Sequence, residues 1–112
     1  MRTVKLYLNR SEWVSTQGKF TVVAVLAQAN HLFEYPVEMV VGHRSSYGKA
    51  VKLWEAEKPQ YQKLVEPGQA LFFRIYTPGG TPLRDTLKLA QEEWYVRMCV
   101  GLVDLINQPI SV

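Results

Sequence analysis

Apolar residues recur at helical spacing over one long stretch of the chain. In residues 81–107, TPLRDTLKLAQEEWYVRMCVGLVDLIN, the residues Leu83, Leu87, Ala90, Trp94, Met98, Leu102 and Leu105 follow at steps of three and four. That spacing places them on one face of a helix. Thr81 suits an N-cap and Pro82 the first helical position, while Asn107 and Pro109 supply the stop. Arg84 stands where Glu or Gln would complete a capping box.

The two halves of this stretch differ. Residues 84–93 carry charged or polar side chains off the apolar face, Leu89 excepted, whereas residues 94–106 hold only Arg97 and Asp104 as charges. Glu93 and Arg97 are placed to pair along the one polar strip, four residues apart with the acid first. A half-helix that is apolar nearly all round is normally covered on more than one side. Its β-branched and aromatic content leaves an alternative open, in which residues 94–103 form a last strand after a shorter helix.

Upstream, the period changes to two. Residues 3–8 alternate, with Val4, Leu6 and Leu8 on one face and Thr3, Lys5 and Tyr7 on the other, as in a half-buried strand. Residues 9–13 read as a short connection with room for one helical turn, and Trp13 as a lid on the sheet. Residues 20–28, FTVVAVLAQ, are apolar on both faces, which predicts a central strand. A turn at Ala29, Asn30 and His31 leads into residues 32–41, a second hairpin strand that Pro36 confines to an edge or a bulge. Residues 49–57 resume an alternating pattern. Pro67 and Gly68 predict a type II turn into a strong strand at residues 70–76, ALFFRIY. The expected fold is therefore α+β: a curved, mainly antiparallel sheet of about five strands, then one long C-terminal helix packed on it, in a single domain over residues 1–112.

Composition narrows the class. At 112 residues, 47% hydrophobic and 21% charged, the chain has the makeup of a globular domain. Cys99 is the single cysteine, which excludes an intramolecular disulfide framework. The first residues alternate and carry charges, unlike the core of a signal peptide, so the expected location is the cytoplasm. The 81–107 stretch is too short and too charged to cross a membrane. Net charge is +3, and its excess lies in the first half: residues 1–55 hold seven Lys or Arg against four Asp or Glu, and the remainder six against six.

Candidate chemistry centres on residues 42–52. His43, Arg44, Ser45, Ser46, Tyr47, Lys49 and Lys52 offer cations and hydroxyls with no acid between Glu38 and Glu55, a set suited to a phosphate or carboxylate. Gly42 and Gly48-Lys49-Ala50 superficially resemble a nucleotide-binding P-loop. One residue too many separates the glycines, Ala50 replaces the magnesium-binding hydroxyl, and the flanking segments read as strands, so that reading is rejected. Aromatic and basic residues interleave at Trp54, Lys58, Tyr61 and Lys63 and at Phe73, Arg74 and Tyr76.

Metal and catalytic signals are thin. The two histidines, His31 and His43, fall in expected turns, no metal-ligand spacing appears, and Cys99 sits among apolar neighbours as an inert thiol. Neither an enzyme activity nor a cofactor is expected. The first expectation is a small non-catalytic binding protein acting through protein contacts, as a homodimer or with another protein, through Trp94, Tyr95, Met98, Leu102, Leu105 and Ile106. The alternatives are a nucleic-acid-binding module using residues 42–52, or an anionic-ligand pocket between sheet and helix.

Overall fold

A computed structural model describes residues 4–29 and 36–107, with side chains described as far as Arg97 in the last helix. In chain order the elements are β1 (Lys5–Leu8), β2 (Glu12–Ser15), β3 (Phe20–Gln28), β4 (Val37–Arg44), α1 (Tyr47–Gln62), β5 (Gln69–Tyr76), β6 (Pro82–Asp85) and α2 (Thr86–Asn107). The fold is α+β. In place of the expected single sheet of about five strands, β1 and β2 form a separate antiparallel hairpin, and the other four form an antiparallel sheet in the order β4-β3-β5-β6.

Strand β3 is central because it has no polar face to show water. Its residues from Thr21 to Ala27 are buried, and β4 and β5 pair with it on either side. Each face of the sheet has its own cover. Val22, Ala24 and Ile75 meet Ala50 and Trp54 of α1, and Trp54 stacks on Phe73 with ring centroids 4.8 Å apart. Val23, Val25 and Ala27 meet Leu6 and Leu8 of the β1–β2 hairpin, together with Leu87 from the start of α2. The alternation read in the first strand holds, with Leu6 and Leu8 inward and Lys5 and Tyr7 exposed.

The expected strand at residues 49–57 is instead helix. Ser46 takes extended backbone angles and its side chain accepts the Lys49 N–H at 3.2 Å, which caps α1. Tyr47, Ala50, Val51, Trp54 and Tyr61 then make a stripe at helical spacing, in a segment that also holds the helix formers Ala, Glu and Lys. Helix α1 carries the chain from β4 across β3 to β5, which lie antiparallel to β3 and hence parallel to each other.

The expected start of the C-terminal helix also moves. Residues 82–85 form the short edge strand β6, so Pro82 opens a strand and Leu83 is exposed on that edge rather than lying on the helix stripe. Helix α2 begins at Thr86 and runs through residues 94–103, which excludes the alternative of a last strand there. Residues 12–15 are strand rather than helical turn, and Trp13 points away from the sheet, 63% exposed. The Pro67–Gly68 turn forms as expected, closed by the Gln69 N–H donating to the Glu66 carbonyl at 3.0 Å. Strand β4 is an edge strand that begins directly after Pro36; its bulge lies opposite Val22 and Val23 rather than at the proline. The expected turn at Asn30 and His31 lies outside the described residues.

Candidate functional site

The polar set at residues 42–52 divides at the end of β4. His43 sits on the hairpin side of the sheet, its Nδ1 2.9 Å from the buried Thr21 hydroxyl opposite. Burial lowers its pKa below the ordinary value, Lys19 and Arg44 add to that, and a hydrogen bond to the Thr16 backbone opposes it. His43 is therefore half-buried, with its Nδ1 engaged by Thr21. Arg44, Ser45, Ser46, Tyr47, Lys49 and Lys52 gather at the opening of α1, and all but Lys52 have a local contact there. Arg44 donates to the His43 carbonyl at 2.7 Å, Ser46 caps the helix, Lys49 Nζ lies 3.4 Å from the Ser45 hydroxyl, and Tyr47 packs edge-on to Phe20. Lys52 is exposed one turn further along.

The segment does run from strand to helix, contrary to the expectation of strands on both sides. The P-loop is still excluded. Gly42 pairs with Val22 inside the ladder, Gly48 belongs to the helix, and only Ser45 and Ser46 link them. No cradle of successive loop N–H groups exists there.

A second polar cluster lies where no motif marked it. Arg74 of β5 donates to Glu38 of β4 at 2.9 Å and to Asp85 of β6 at 3.0 Å, reaching over β3 on one side and along its own neighbour on the other. Burial opposes the Arg74 charge, but Tyr76, Asp85 and Glu38 overcome it and raise the pKa. Burial likewise raises the pKa of Tyr76, with Arg74 opposing. Asn9, at the tip of the β1–β2 hairpin, binds the same Glu38: its Nδ2 donates to the Glu38 carbonyl at 2.8 Å and its Oδ1 accepts the Glu38 N–H at 2.6 Å. This cluster ties three strands and the tip of the β1–β2 hairpin together and is filled by its own members.

Helix α2 presents the third surface. Leu87 is buried under the hairpin, and Ala90 and Trp94 are half-buried on the same face. From Lys88 to Arg97 the other residues of the helix are exposed, including Leu89 at 59%, Tyr95 at 66% and Val96 at 58%. A shallow groove runs along it between Lys88, Gln91, Glu92, Tyr95 and Val96. The expected pair forms, with Arg97 donating to Glu93 at 2.7 Å. The molecule measures 68 Å by 30 Å by 28 Å, and α2 alone is about 33 Å long. Of the six interface candidates, Trp94 and Tyr95 have described side chains, while Met98, Leu102, Leu105 and Ile106 have only their helical backbone described. The side chain of Cys99 is likewise outside the described residues.

Among the described residues no group of three or more His, Cys, Asp or Glu is placed to hold a metal ion, and neither helix is long and apolar enough to cross a membrane. Comparison with protein-family models, with curated proteins and with solved structures gives no match in any of the three.

Proposed function

We propose that this is a small binding protein without catalytic activity, acting through protein contacts made by α2, with a second copy of the chain as the first partner. The observation that carries this reading is the exposure of α2 off its Leu87, Ala90 and Trp94 face, with Leu89, Tyr95 and Val96 each more than half exposed. The sheet has a cover on each face with little of α2: α1 on one side, the β1–β2 hairpin and Leu87 from the first turn of α2 on the other. Helix α2 nevertheless continues to Asn107, and its sequence from Met98 onward has Asp104 as its only charge. Burying exposed apolar area is worth about 25 cal/mol per Å², so a helix of this composition gains by pairing. Symmetric pairing is the commonest way for a small chain to achieve it.

The test is solution mass. Light scattering on the intact chain is expected to give twice 12.9 kDa, and Leu102→Glu or Val96→Glu is expected to give monomer or aggregate. A wild-type chain that stays monomeric at high concentration, with α2 retained, defeats the homodimer.

A further inference from the structure

We propose that the outer face of the β1–β2 hairpin is a stacking site for single-stranded nucleic acid, in which Tyr7 and Trp13 receive bases and Lys5 and Arg10 meet phosphates. This surface is independent of α2. Tyr7 and Trp13 stand directly opposite each other in the ladder, their ring centroids 4.8 Å apart and their planes tilted by 40°. They are 51% and 63% exposed, the largest exposed aromatic area outside α2 among the described residues.

The pair is exposed yet held. On the other side of the hairpin Leu6 and Leu8 are locked into the core. The Tyr7 hydroxyl donates to the Arg10 carbonyl, and Asn9 anchors the tip to β4. A ligand therefore meets rings already ordered, which lowers the entropic cost of binding.

Charge selects the ligand. Strand side chains alternate, so Lys5, Tyr7, Trp13 and Ser15 share the outer face, whereas Glu12, opposite Leu8, belongs to the other set. Among the described residues that face carries no acid, Lys5 is the next outward residue along β1 from Tyr7, and exposed Arg10 is in the turn just beyond the rings. The whole positive excess of the chain lies in its first 55 residues. Sugar sites that stack a ring also need carboxylates or amides for the hydroxyls, and among the described residues the outer face supplies, beside the two rings, only cations and a serine. Cations beside accessible aromatic rings match phosphates beside unstacked bases. A duplex keeps its bases inside and cannot use the rings, so the site selects single strands.

The experiment is fluorescence polarisation with short labelled oligo-uridine and oligo-thymidine, a duplex of equal length, and a neutral oligosaccharide. Expected are single-strand binding that weakens as salt rises, a loss of about tenfold or more in Trp13→Ala, and near-retention in Trp13→Phe. Lys5→Glu with Arg10→Glu should also weaken binding and flatten the salt slope. That double variant leaves the core of the hairpin intact and decides the matter if Trp13→Ala does not fold. Absence of single-strand binding shows that the pair only braces the hairpin and overturns the proposal. So does preference for duplex or oligosaccharide, or binding indifferent to both sets of substitutions.

Discussion

Asp85 serves two elements at once through Arg74 and the helix that follows. Its Oδ2 accepts from Arg74 Nε at 3.0 Å, and its Oδ1 accepts the Lys88 N–H at 3.0 Å, as an N-cap does. Arg74 also holds Glu38 at 2.9 Å, and all three side chains are less than one fifth exposed. Removing the cation alone leaves two carboxylates without their shared partner. Arg74→Met is therefore expected to cost about 3 kcal/mol. Adding Glu38→Gln and Asp85→Asn should restore part of that loss, because the uncompensated charges go with it. Urea denaturation of the single and triple variants, read as midpoints at constant slope, checks both expectations.

Asn9 does for the hairpin what Asp85 does for α2. It adopts φ of 54° in the turn and exchanges hydrogen bonds with the Glu38 backbone, filling one rung of the open edge of β4. Two properties are thus combined in one residue: tolerance of the left-handed region and an amide that mimics a strand neighbour. Asn9→Gly keeps the first and removes the second, and is expected to cost about 1–2 kcal/mol. Asn9→Ala loses both and should cost more. Hydrogen exchange should show the β1–β2 amides opening faster in both variants, with the β3 amides slowed as before.

Gly80 and Gly48 should respond to alanine in opposite directions. Gly80 has φ of +86°, and a Cβ there would stand 2.8 Å from Val4 Cγ1. Gly80→Ala therefore meets backbone strain and crowding together and is expected to lose about 1–2 kcal/mol. Gly48 lies in the first turn of α1 with nothing within 4 Å of a Cβ. Gly48→Ala should gain up to about 1 kcal/mol from helix propensity, less if the end of the helix frays. Thermal melts of the two variants beside the wild type separate the signs.

The parts of this architecture legible in the sequence are those fixed by burial over long runs. Strand β3 is apolar on both faces because both faces are covered, and Leu87, Ala90 and Trp94 keep the inward side of α2 as their spacing requires. Helix α1 is obscured because Ala50, Lys52, Trp54 and Ala56 alternate as a strand would, while Tyr47, Val51 and Tyr61 complete a helical stripe; Ser46 as N-cap is the signal that decides between them. Strand β6 is obscured because Thr81-Pro82 is good helix-starting chemistry, and only pairing of residues 82–85 with β5 overrides it. At the candidate sites, the cations near α1 are adjacent in sequence and so are found together. Arg74, Glu38, Asp85 and Asn9 come from four distant segments, and the Tyr7–Trp13 pair depends on a register that spacing alone does not set.

His43 gives the fold a dependence on pH with a definite sign. Burial, then Lys19, hold its pKa below 6.5, the ordinary value for histidine, while the hydrogen bond to the Thr16 backbone pulls the other way. Well above pH 6.5 the imidazole is neutral in folded and unfolded chains alike, and no stability is lost. As pH falls below that value, the unfolded chain takes a proton that the folded chain resists, so stability declines. The decline from this group ends once folded His43 itself protonates. Carboxylates also titrate at the lower end of this range, so the comparison must be with a variant that differs only here. His43→Gln keeps a side chain able to reach the Thr21 hydroxyl and removes the titration. Its urea midpoint is expected to fall less than that of the wild type between pH 8 and pH 5, a range that spans the ordinary histidine value. Lys19→Gln should also shrink the wild-type decline, since it removes one of the charges that keep the ring neutral. Parallel pH profiles for wild type and His43→Gln would remove His43 as the source.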